Sequence, residues 1–195
     1  MEMQIRQILI EALTYAIEEA ILVGTGINQP RGIVDSPGSV LVSRTTANAI
    51  AYADIVNMFS RLAPGSQARA VWVANYNTLP SLLTMQDPSG QYVWSPGYAG
   101  AAASMPASLL GREIIFTEKS PALGSKGDIV LCDFKGYAVC LTPQIGVQTS
   151  DAVRWYENER SFRIETRVDG TMLLDEPIVP HKGSDTLSTT VVLNA

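Results

Sequence analysis

A chain of 195 residues, 46% of them apolar and 17% charged, is long enough for one domain or for two small units sharing a core. Its 15 glycines and 11 prolines fall far short of a disordered or collagen-like composition. Its charged fraction is well below the ~25% usual for soluble domains, the pattern of a surface covered by neighbours.

With 14 basic and 19 acidic residues, net charge −5, the chain lacks the clustered cations that a nucleic-acid-binding module uses to displace counterions. No apolar run approaches the roughly 20 residues needed to cross a bilayer, which excludes a spanning helix. Residues 1–10, with Glu2 and Arg6, lack the basic-then-apolar layout of a signal peptide, so a cytoplasmic location is expected.

Residues 1–23 give the clearest element. Ile5, Ile8, Leu9, Ala12, Leu13, Ala16, Ile17, Ala20 and Ile21 recur at helical spacing, and Gly24, Gly26 and Pro30 stop the helix. No N-cap signal precedes Met3, so the helix is expected to begin before this chain does. Its apolar stripe is expected to pack on the strand Phe162–Val168. A second helix is expected over Ala47–Leu62, with Ala51, Ile55, Phe59 and Leu62 inward. Ala70–Ala74 reads as an apolar strand and Leu79–Met85 as a short helix closed by the turn Asp87-Pro88-Ser89-Gly90. Residues 95–108 form a loop of small residues. Strands follow at Arg112–Glu118, Asp128–Phe134, Tyr137–Thr142, Val147–Thr149, Ser161–Val168, Met172–Leu174 and Thr189–Leu193. Leading helices followed by a mostly antiparallel strand-rich half describe an α+β fold.

The chemistry-bearing residues are few. Cys132 and Cys140 flank an expected hairpin turning at Lys135-Gly136, which puts the two sulfurs on opposite faces; a one-residue bulge would bring them together. Their spacing does not match a zinc site. Phosphate-cradling glycine motifs are missing, and Gly24-Thr25-Gly26 follows a helix, so it reads as a cap. The lone His181 sits in a polar loop. Glu157, Glu159, Asp175 and Glu176 read as solvated turn acids instead of a catalytic pair. The aromatics Trp72, Tyr76, Tyr92, Trp94, Trp155 and Tyr156 lack interleaved cations and read as core and interface packing. No catalytic, cofactor-binding or metal-ligating residue is assigned, and no cofactor is expected.

Four segments in order carry a resemblance. Ala20-Ile21-Leu22-Val23-Gly24-Thr25-Gly26 with Gln29-Pro30-Arg31-Gly32-Ile33 resembles the end of the spine helix in major capsid proteins of tailed phages. Trp72–Pro96 is similar to that family's helix, D-x-x-G turn and aromatic strand. Leu109–Phe134 is similar to its stretch of LLG, strand, acidic residue, P-x-L-G, strand and D-F, and Phe162–Gly170 resembles its return strand.

The resemblance implies the Hong Kong 97-type shell fold. Residues 1–35 and 156–195 would then form a peripheral domain, with the spine helix and a long antiparallel sheet. Residues 36–155 would form an axial domain, a central sheet with flanking helices. The family's N-terminal arm and extended loop have no counterpart here, so no crosslinking residue is carried over. The implied function is a structural, non-enzymatic one: the major capsid subunit of a tailed bacteriophage or prophage, found in the virion and assembled in the host cytoplasm. Its partners would be itself, as pentamers and hexamers, with scaffolding and portal proteins. The shell would enclose DNA without sequence-specific binding, and net negative charge suits a wall that must not adhere to packaged DNA. An encapsulin-like compartment around a protein cargo is the alternative on the same fold. A small enzyme with an unrecognised site is the alternative outside it.

Overall fold

The computed structural model describes residues 2–94, 108–142 and 146–195. The 22-residue helix α1 (Glu2–Val23) comes first, then β1 (Val40–Val42), α2 (Tyr52–Ser60), β2 (Val71–Asn75) and α3 (Leu79–Leu83). The strands β3 (Ser108–Leu109), β4 (Arg112–Thr117), β5 (Ile129–Cys132), β6 (Tyr137–Leu141) and β7 (Gly146–Arg154) follow. Last come β8 (Glu159–Glu165), β9 (Val168–Met172) and β10 (Thr190–Leu193). The small-residue loop expected over 95–108 lies outside the described residues except for Ser108, which opens β3.

Six strands form the central sheet in the order β1-β10-β5-β2-β4-β3. The pairs β1–β10 and β2–β4 are parallel and the others antiparallel. Strand alternation sorts its side chains into two buried layers. Trp72, Ala74, Ile129, Leu131, Val191 and Leu193 face one way, onto Ile55 and Met58 of α2 and Leu82 of α3. Val73, Val130, Cys132 and Val192 face the other way, onto Ile33, Val34 and the last turn of α1. Both faces are covered, so the strands read as unbroken apolar runs.

The chain's exit from α1 satisfies the helix end with its own returning backbone. Ile33 and Val34 donate backbone N–H bonds to Ile21 and Leu22 (2.9 and 3.1 Å), and Gly32 donates to Gly24 (2.7 Å), so carbonyls that a helix terminus leaves open are taken up. The returning segment comes so close that a Cβ on Gly32 would strike the Gly24 nitrogen, and one on Gly24 would strike Pro30 and Ala20 carbonyls.

Outside the sheet, β6 pairs with β9 and β7 with β8, both antiparallel. A Thr142 N–H bond to Arg167 (3.0 Å) continues the first ladder, and the return strand runs through both pairings from Glu159 to Met172. At ~3.3 Å per residue this ribbon reaches about 46 Å, against about 33 Å for α1 at 1.5 Å per residue. The helix lies along it. Glu2 pairs with Arg160 near the ribbon's far end (3.6 Å), while Ile21, Leu22 and Val23 pack with Tyr137 on one cluster at its base.

Several expectations are corrected. The cysteine hairpin does not form: β5 lies between β10 and β2, β6 pairs with β9, and a single 3-10 turn, Phe134–Gly136, separates them. Asp133 directs this crossing, accepting from Lys135 N–H (3.1 Å) and pairing with Arg69 (2.8 Å). Both cysteines are free thiols, Cys132 buried and Cys140 exposed. The second helix starts at Tyr52 and not Ala47, because Asn48 turns left-handed (φ 56°) and Asp54 accepts the Ala51 N–H (3.0 Å). The stripe of α1 contains no buried residue: Ile5, Leu9, Leu13 and Ile17 are half-buried, and the helix reaches a buried layer only at its last turn, on the central sheet. Strand β10 lies inside the central sheet, between β1 and β5. Val40–Val42 is a strand that the sequence pattern did not reveal.

Candidate assembly surfaces

The residues weighed for chemistry are dispersed. His181 lies exposed in the loop before β10, as do Asp175 and Glu176. Glu157 and Glu159 are exposed and share the guanidinium of Arg154 (3.0 and 2.9 Å). Burial raises the pKa of the Cys132 thiol, with Asp133 adding to the effect, so it stays protonated. Gly24 caps α1, its N–H bonded to Ala20 (2.9 Å). Among the described residues no group of His, Cys, Asp and Glu is arranged to hold a metal ion, and no helix is long and apolar enough to cross a membrane.

The aromatics divide into two sets. Trp72 and Trp94 are buried, their indole N–H groups donating to the carbonyls of Leu109 (3.0 Å) and Ser108 (2.9 Å), which ties strand β3 to the core. Trp155 and Tyr156 stand out in solvent at the ribbon's end, with Val153 beside them. Their sequence context, a Trp-Tyr pair among charges, gave no sign of that difference.

Beyond the tip, α1 takes part in two stretches of exposed apolar surface. Along α1, Met3 and Ile8 are well exposed and Ile10 and Tyr15 partly so, on the two flanks of the half-buried stripe. Between the C-terminal end of α1 and the sheet runs an apolar groove of about 450 Å³, lined by Ile21, Leu22, Val73, Ile115, Phe134 and Tyr137 among others. At its rim Lys119 pairs with Glu18 and lies 4.3 Å from the centre of the Tyr15 ring, while the Tyr15 hydroxyl donates to Glu118 (3.0 Å). That bond raises the Tyr15 pKa above the ordinary tyrosine value, with small additions from desolvation and nearby carboxylates. These contacts clamp the helix to the end of β4. Exposed apolar patches this extensive are the mark of surfaces that other chains cover.

The ribbon adds unpaired strand edges. Among the described residues β7 and β8 pair only with each other, and none of their residues is buried. A two-stranded ribbon is marginal by itself in water and draws stability from whatever packs on it.

Comparison with known proteins gives the family and the fold. The profile of the Phage capsid family matches residues 1–183. No curated protein matches the chain by sequence. The capsid of an empty GTA particle computed with C5 symmetry superposes with a TM-score of 0.80 at 21% identity, over 100% of this chain and 67% of that one. A protein of Gordonia phage Cozz gives 0.64 at 13% identity, over 98% of this chain and 63% of that one. A virus-like particle from Pyrococcus furiosus gives 0.53 at 15% identity, over 91% and 62%. The chain spans about two thirds of the length of these structures. The α+β architecture is thus the Hong Kong 97-type shell fold that the four sequence segments pointed to, and the chain belongs to the phage capsid family.

Proposed function

We propose that this protein is the major capsid subunit of a tailed phage or prophage-derived particle, acting as a non-enzymatic wall element that self-associates into a closed shell around DNA. The observation that carries this reading is the pairing of a central sheet buried on both faces with a helix α1 and an outer ribbon β7–β8 that have no buried residue. Elements built this way gain their packing from neighbouring copies. Low charge density and net charge −5 fit a tile that meets copies at its edges and does not adhere to DNA.

In this reading α1 with the ribbon forms the peripheral domain, first assigned to residues 1–35 and 156–195. The axial domain, first assigned to 36–155, is the central sheet with α2 and α3. The strand pairings favour two changes of boundary: β10 goes with the axial sheet, and β6 and β7 go with the peripheral ribbon. Pentamers and hexamers, scaffolding and portal partners, and assembly in the host cytoplasm belong to the same proposal.

Light scattering with negative-stain imaging of the complete reading frame tests it. Closed particles, or rings of five and six, are expected, with nuclease-protected DNA in particles made during infection or induction. Particles that hold protein cargo and no DNA would favour the encapsulin-like alternative. A monodisperse monomer at every salt concentration would overturn the shell reading.

A further inference from the structure

We draw no further inference here: the strongest candidate, the apolar groove between the C-terminal end of α1 and the central sheet, carries none, because nothing in the structure shows what covers it.

Discussion

Arg44 and Asp128 form an ion pair sealed from solvent, guanidinium to carboxylate at 2.6 Å, with side chains 2% and 0% exposed. The pair joins the loop after β1 to the start of β5, 84 residues away. Asp128 also accepts the N–H groups of Gly124 (2.9 Å) and Ile129 (2.8 Å), and Arg44 donates to the Ala49 carbonyl (2.9 Å). Asp128→Asn keeps acceptor capacity but leaves a buried, uncompensated cation. It should cost about 3–5 kcal/mol, read as a lowered urea midpoint, because removing one partner of a buried pair exacts the desolvation of the other. Arg44→Met with Asp128→Asn should recover part of that loss, and a double variant no more stable than the single one would contradict the argument.

Asp133 makes stability depend on acid. Burial pushes its carboxyl pKa up, but hydrogen bonds from Arg69, Ser66 and the Lys135 N–H outweigh burial and hold it below the usual carboxylate value. A group whose pKa is lower in the folded than the unfolded chain adds stability above the unfolded value and loses it as pH falls through the folded one. Asp133→Asn should therefore be less stable than wild type at pH 7, and the gap should close progressively as pH drops below about 4. Denaturant melts at pH 7, 5 and 3 check this; a gap independent of pH would count against it.

Gly32→Ala should disrupt the exit of α1. The added methyl would meet the Gly24 nitrogen and the carbonyls of Val23 and Leu22, all backbone, so no side-chain adjustment relieves it. The expected loss is about 2–4 kcal/mol, as for other strained or overpacked sites, read by thermal melting. Gly65→Ala, where a methyl meets nothing within 4 Å, is the matched control and should be near neutral.

Ile17→Asp separates two views of α1. A continuous apolar stripe buried on the sheet would make this substitution unfold or aggregate the chain. Ile17 is only half-buried, so the chain should remain folded with a modestly lower melting temperature, whereas Leu131→Asp, fully buried in the central sheet, should abolish folding. Aggregation of Ile17→Asp with loss of circular dichroism would restore the first view.

What could be read from the sequence follows from where the physics is local. The unbroken apolar run Ala70–Ala74, the helical period of residues 1–23 and the glycines after it are dictated by neighbours in the chain, and each element formed where expected. Strand β1 is only three residues long and β10 finds its partners by pairing across more than 50 residues, so neither its place nor the crossing at Asp133 is written in local pattern. The cysteine hairpin failed for the same reason: a two-residue turn signal at Lys135-Gly136 was overridden by the pairing of β5 with β2 and β10. The exposed apolar surfaces were invisible in the sequence, because exposure of Tyr156 and burial of Trp94 are tertiary facts.

The helix-and-ribbon half, with no buried residue from Glu2 to Val23 or from Gly146 to Glu165, has consequences for how the free subunit breathes. Its amides should open to deuterium by local fluctuation at small free energies, while those of β2 and β5 exchange only through global unfolding. One molecule thus combines a stiff keel with a compliant wing. The wing can adopt different curvatures as copies close up, and each new contact removes motion from a part that had little stability of its own to lose.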